Sequence, residues 1–308
     1  MQVAGIGKVG QLVDVLQVPD PRPLEADEVL IAVKAAGIGN WDEIVRTGGW
    51  DVGRTPPMAL GVEAAGVITD IGTDIEHFAP GDEVLCHPLP LRHQGTWAPL
   101  LIAPASSLAR KPAAATWEAA GALPVPALTA DQVLTEALSL NAGETLLVHG
   151  AGGVTGGLLV QLAAARGAKV IATSSLASAA RVRDLGADEV FDYRDPAWPD
   201  EVRRATAGVG VAAAANAALG GAAVALTTVA TDGRLATFTS DPPQPQRGIQ
   251  VSSVYVRPDA ARLEHLAQLL GSGQLTVTIA RRSGLNGAGA GLAAVTAGQV
   301  AGAAVVTP

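Results

Sequence analysis

Thr145-Leu-Leu-Val-His-Gly-Ala-Gly-Gly-Val-Thr-Gly156 is the stretch whose reading decides the fold. An apolar run of strand-forming residues stops at His149, glycines crowd the positions that follow, and a helical run covers residues 158–166. That order is strand, tight turn, helix. Such a turn lets backbone N–H groups approach a diphosphate at a helix N-terminus, where the peptide dipoles favour negative charge. The spacing is Ala151-x-Gly153-x-x-Gly156, with alanine in the first glycine's place. Glycine turns are common, so an ordinary strand–helix turn holding no ligand is the competing reading. A second apolar strand at residues 169–173 lies at the distance a dinucleotide-binding unit requires.

Outward from this turn, residues 128–240 alternate regularly. Helices are expected at 129–138, 154–165, 177–185, 199–206 and 221–229. Strands are expected at 145–149, 169–173, 189–193, 211–216 and 234–239. Strands this apolar, separated by helices, imply a parallel sheet covered on both faces. A strand at 249–256 and a helix at 258–270 follow the proline-rich loop Asp241-Pro-Pro-Gln-Pro245. Residues 1–125 have a different texture, with short β-like runs at 11–18, 28–35 and 66–71. Proline and glycine clusters such as Pro19-Asp-Pro-Arg-Pro23 punctuate them. The alanine- and glycine-rich tail from Gly284 is expected to form a weak helix and a final strand at 303–307.

The chain has 308 residues, room for two domains, and a formal net charge of −8. Its only lysines are Lys8, Lys34, Lys111 and Lys169, so the concentrated basic face that nucleic acid demands is missing. The single Cys86 excludes an intrachain disulfide and a multi-cysteine zinc site, and fits a reducing compartment. No uncharged apolar stretch reaches membrane-spanning length, and the first residues lack a secretion pattern. These features set the expectation of a soluble, cytoplasmic protein.

A dinucleotide unit specific for NAD carries an acidic residue near the end of its second strand. Here Thr173-Ser174-Ser175 occupies that place. Hydroxyls and helix N-terminal amides accept a 2′-phosphate that a carboxylate would repel, so NADPH is the expected cofactor. Arg181, Tyr193 and Arg194 add charge and a phenol donor nearby. Helix capping by Ser174 or Ser175 is compatible with this role.

Further motifs lie on both sides. Gly61-Val-Glu63-Ala-Ala-Gly66, Phe78-Ala-Pro-Gly-Asp82-Glu-Val84, Leu128-Thr129-Ala130 and Leu185-Gly-Ala-Asp188-Glu-Val are spaced as in one family. With Asp232-Gly233-Arg234-Leu235 and Val256-Arg-Pro258-Asp259, the chain resembles the medium-chain dehydrogenase/reductase superfamily, in its zinc-independent quinone oxidoreductase branch. The resemblance implies an α/β chain, with a GroES-like β-barrel catalytic domain over residues 1–125 and 260–308. A Rossmann cofactor domain, a doubly wound parallel sheet, would occupy residues 126–259. It also implies reduction of quinones or α,β-unsaturated carbonyls by a homodimer joined through the edge strand 249–256. The zinc ligands of metal-dependent relatives fall on Gly39, Val62 and Val125, none of which offers a ligating side chain. Asp42 and Glu63 remain from that site, and a structural role is expected for both, held by Arg46 or by backbone amides.

Asn40 and Thr129 are the expected neutral donors to the substrate oxygen, and Tyr255 is a candidate proton donor. Trp41 and Trp50 are expected to stack on a flat substrate, with core packing as the alternative fate of both rings. The resemblance places Thr129 and Asn216 beside the nicotinamide end of the cofactor. Together with Ala151, Gly152, Gly153, Val154, Ser174, Ser175, Arg181 and Tyr193 they complete the expected cofactor site. The competing function is a nucleotide-binding member with little redox activity, serving a structural, regulatory or non-redox biosynthetic role.

Overall fold

A computed structural model describes residues 1–308. By internal contacts the chain divides into two compact units, residues 1–128 with 257–308, and residues 129–256.

The first unit begins with β1 (Gln2–Ile6), β2 (Asp14–Gln17) and β3 (Glu28–Ile38), then α1 (Asn40–Arg46) and β4 (Met58–Ala59). It continues through β5 (Ala64–Ile71), β6 (Glu83–Cys86), β7 (Leu100–Pro104), β8 (Leu108–Arg110) and α2 (Trp117–Gly121). β3 is its spine. Val29, Ile31 and Val33 are buried along it, and it pairs antiparallel with both β5 and β7. The buried carboxylate of Glu28 opens this strand and receives both guanidinium arms of Arg22, at 2.7 and 2.8 Å. Glu25 N–H adds a third bond at 2.9 Å. This clamp ties the proline-rich entry segment to the sheet, because three donors offset the desolvation of one carboxylate.

The division between units falls within α3 (Pro124–Gln132). A helix expected from residue 129 therefore starts five positions earlier. Pro124 occupies its first position, where no N–H is needed, and a π-turn over Val133–Ala137 closes it.

The second unit is a parallel sheet of β9 (Thr145–His149), β10 (Lys169–Ser174), β11 (Glu189–Asp192), β12 (Val211–Asn216), β13 (Val229–Thr237) and β14 (Gln250–Ser253). Between them run α4 (Val154–Ala165), α5 (Leu176–Asp184), α6 (Trp198–Ala205) and α7 (Ala222–Thr228). The strand order β11-β10-β9-β12-β13-β14 is that of a doubly wound dinucleotide-binding sheet, with its reversal beside β9. β14 is shorter than the expected 249–256 strand and forms the sheet's edge; Tyr255 lies beyond it.

The chain then returns to the first unit as α8 (Ala260–Gly271), β15 (Ile279–Ser283), α9 (Ala288–Thr296) and β16 (Ala303–Val306). Asp259 caps α8 by accepting from Arg262 N–H at 3.0 Å. β16 is fully buried against β3, whereas β15 is an edge strand carrying Arg281 and Arg282. Sequence patterning does not reveal β15, because an edge strand satisfies no clean alternation. No helix is long and apolar enough to cross a membrane.

Arg22→Ala leaves the Glu28 carboxylate buried without its main partner, and is expected to lower stability by about 2 kcal/mol in denaturant unfolding. Arg22→Lys restores only part of the loss, since an ammonium cannot bond both carboxylate oxygens side by side.

Candidate active site

Gly150 follows β9 with φ of +90°, a conformation that favours glycine. Gly156 lies in the first turn of α4, and a Cβ there would sit 2.3 Å from the Gly150 carbonyl oxygen. Gly152 and Gly153 have room instead, with no atom nearer than 3.4 and 3.8 Å to such a Cβ. Helix geometry leaves the first N–H groups of α4, from Val154 onward, without intrahelical acceptors. A diphosphate fits this cradle, approaching bare backbone at a positive helix end. Ala151 plays another part. Its side chain is fully buried and its N–H donates to Thr173 O at 2.9 Å, so it shapes the turn and does not line the phosphate cradle.

Ser174 ends β10, and Ser175 is the N-cap residue of α5. Ser175 Oγ lies 3.2 Å from Ser178 Oγ, and Ser178 in turn flanks Gly152. Ser178 was not among the expected cofactor residues. Arg181 reaches the same place from α5, donating to the Gly152 carbonyl at 2.7 Å. Tyr193 N–H donates to Ser174 O, and the exposed Tyr193 ring carries the Arg194 guanidinium 5.1 Å from its centroid. Serine hydroxyls and the Arg181 guanidinium therefore gather around one turn.

At the carboxyl end of β12, Asn216 is fully buried. The two hydrogens of its amide nitrogen are shared among Ala218 O, Thr237 Oγ1 and Thr239 Oγ1, all at 2.9–3.1 Å. Its amide is engaged by its own chain, at the strand end where the resemblance places the nicotinamide ribose. Asn216 positions the segment ending at Asp241, whose carboxylate accepts from both threonines and from Ala222 N–H. His149 completes this layer, bonded to Thr173 Oγ1 at 2.7 Å and stacked on Trp198 at 4.8 Å. Burial pushes its imidazole down to about 4.

In the first unit, Gly39, Val62 and Val125 have no polar side chain and offer only backbone to their surroundings. Buried side chains grip that backbone. Asp42 accepts from Gly39 N–H at 2.8 Å, Glu63 from Val125 N–H at 2.7 Å, and His87 Nδ1 lies 2.7 Å from Val62 O. Arg46 pairs with Glu43 instead, so backbone amides hold the two carboxylates. Burial raises the Asp42 carboxyl to about 8, against the pull of the Gly39 and Gly61 amides. Glu63 is raised too, by burial first and also by the charge of Asp42. No group of three or more His, Cys, Asp or Glu side chains converges on a metal-sized point.

Asn40 is exposed at the start of α1, and the Trp41 indole covers Gly39, where a Cβ would meet the ring at 2.2 Å. Trp50 is half-buried with its ring 6.4 Å from that of His87. Thr129 is buried within α3, not at a helix start. Tyr255 is 70% exposed, so nothing encloses its hydroxyl.

Two family models match the chain: an alcohol dehydrogenase GroES-like domain over residues 25–113 and a zinc-binding dehydrogenase over residues 154–259. Erythronolide synthase EryA2 of Saccharopolyspora erythraea is 35% identical over 202 residues, 65% of this chain and 5% of that protein. The quinone oxidoreductase of Mus musculus is 30% identical over 187 residues, 60% of this chain and 55% of that enzyme. The chain thus spans about half of that oxidoreductase and a small part of the synthase. A solved NAD-dependent alcohol dehydrogenase superposes with a TM-score of 0.92 at 28% identity, covering 100% of both chains.

Asp42 generates a prediction with a definite sign. Its ordinary value is 3.8, so between there and about 8 the unfolded chain releases a proton that the folded chain keeps. Rising pH through that window therefore favours unfolding, and the contribution is largest below it. Asp42→Asn removes the ionisation, and its melting temperature relative to wild type should improve between about pH 5 and about pH 8. Melts at both pH values check this; an unchanged gap would refute it.

Proposed function

We propose that this chain, which belongs to the quinone oxidoreductase branch of the medium-chain dehydrogenase/reductase superfamily, reduces quinones or α,β-unsaturated carbonyls with NADPH and without zinc. The observation that carries the cofactor choice is the end of β10. There Ser174, Ser175 and Ser178 surround the Gly152 turn where NAD-specific sites place a carboxylate. Support for zinc independence comes from residue chemistry: Gly39, Val62 and Val125 have no donor side chains, and their backbone is already bonded.

Bound NADPH would supply the hydride. The chain's own part is to bind, orient and stabilise. The N–H groups opening α4 face the diphosphate, and the serine hydroxyls with Arg181 receive the 2′-phosphate. Negative charge develops on the substrate oxygen as its conjugated carbon is reduced. Without a Lewis-acidic metal, neutral donors must meet that oxygen, and Asn40 and Thr129 are assigned to it. Trp41 and Trp50 present the aromatic faces suited to a planar substrate. The proton comes from solvent, because Tyr255 is itself open to water. A homodimer through the free edge of β14 belongs to the same proposal, and a dimeric native mass in solution is its check.

Purified protein should oxidise NADPH in the presence of 1,4-benzoquinone or cyclohex-2-enone, with no loss after a chelator treatment. NADPH should bind at least about tenfold more tightly than NADH, and Ser175→Asp should reverse that preference by placing a carboxylate against the phosphate. Tight NADPH binding with no oxidation of either substrate would favour the nucleotide-binding role. Tighter NADH binding would overturn the cofactor assignment.

A further inference from the structure

The first unit concentrates buried polar atoms that have no hydrogen-bond partner. Four of them, Trp41 Nε1, Asp42 Oδ1, His87 Nε2 and Thr96 Oγ1, belong to one chain of contacts. The Trp41 ring lies on Gly39, whose N–H is held by Asp42. The Gly61 amide also pulls on the Asp42 carboxyl, and Thr96 Oγ1 lies against Gly61, 2.3 Å from where a Cβ would stand. The neighbouring Val62 carbonyl is bonded to His87. Leaving a buried polar atom without a partner is unfavourable, so a cluster of them points to a polar group that completes it.

His87 defines what that group must be. A carbonyl oxygen only accepts, so the 2.7 Å contact to Val62 O places the proton on Nδ1. Burial holds the ring neutral, pushing it down to about 4, and Nε2 is left with a lone pair and no donor. The ring is fully buried beside Trp50. A plain quinone or enone offers oxygen acceptors alone and cannot satisfy this atom. Trp41 Nε1 is the complement, a donor without an acceptor. We propose that the substrate carries a hydroxyl group besides its conjugated carbonyl, and that His87 Nε2 accepts the hydrogen bond of that hydroxyl. This substrate class rests on the reductase reading given above.

Paired probes differing by one hydroxyl test it. For 4-hydroxycyclohex-2-enone against cyclohex-2-enone, wild type should show a kcat/KM ratio of about tenfold or more. His87→Asn keeps a donor at the position of Nδ1 for Val62 and removes the acceptor, and the ratio should fall below about twofold. His87→Gln, which returns an acceptor near Nε2, should recover part of the preference, and thermal melts show whether each variant is folded. Independently of turnover, the His87 Nε2 nitrogen resonance should move upfield on adding 4-hydroxycyclohexanone, but not cyclohexanone. The shift without NADPH oxidation would uphold the hydroxyl site and overturn the reductase reading. Oxidation without a hydroxyl preference, or without the shift, would overturn this proposal and show that water alone satisfies His87. Absence of both responses would overturn both.

Discussion

The contact between Gly156 and the Gly150 carbonyl is the constraint on which the cofactor site depends. Any side chain at residue 156 would force α4 away from the end of β9. Without that approach the helix could not begin where the strand stops, and its unbonded N–H groups would not open onto the carboxyl end of the sheet. Gly150 adds the left-handed conformation that turns the chain sharply enough. Room at Gly152 and Gly153 then keeps the backbone accessible, and Ser178 and Arg181 of α5 border the same space.

The first unit meets a different demand. Two carboxylates and an imidazole are buried around the backbone of Gly39, Val62 and Val125. Burial of unpaired carboxylates is unfavourable, and the structure responds by keeping protons on them and by giving each at least one backbone donor. Gly37 makes the room that Glu63 needs, since a Cβ there would overlap its carboxylate oxygen. Trp97 closes the layer by donating to the Gly37 carbonyl at 2.9 Å. The outcome is a polar core in which Trp41 Nε1, Asp42 Oδ1, Thr96 Oγ1 and His87 Nε2 are buried without a partner.

Much of this was legible in local pattern. The glycine turn, its flanking strand and helix, and the serines closing the second strand all follow from spacing within one continuous segment. Landmarks such as Gly61-Val-Glu63 and Gly81-Asp82 carried the family resemblance and with it the two-unit architecture. The element bounds slipped where local chemistry ran against pattern. Pro124 pulled α3 forward, the edge position shortened β14, and the arginines of β15 hid a strand altogether. Tyr255 drew attention as a rare phenol, and it lies exposed beyond the end of β14.

The sequence by itself determined the strand–glycine–helix unit, the absence of ligating side chains at residues 39, 62 and 125, and the lack of an acidic residue after the second strand. Those are properties of neighbouring residues and need no partner from afar. Only the tertiary structure decided which atoms Asp42, Glu63, His87, Asn216 and Ser178 touch. Glu63 meets Val125 across 62 positions, His87 meets Val62 across 25, and His149 meets Thr173 across 24. Hydrogen bonds between residues so distant are set by strand register and by packing, and these emerge only when the whole chain has buried its core.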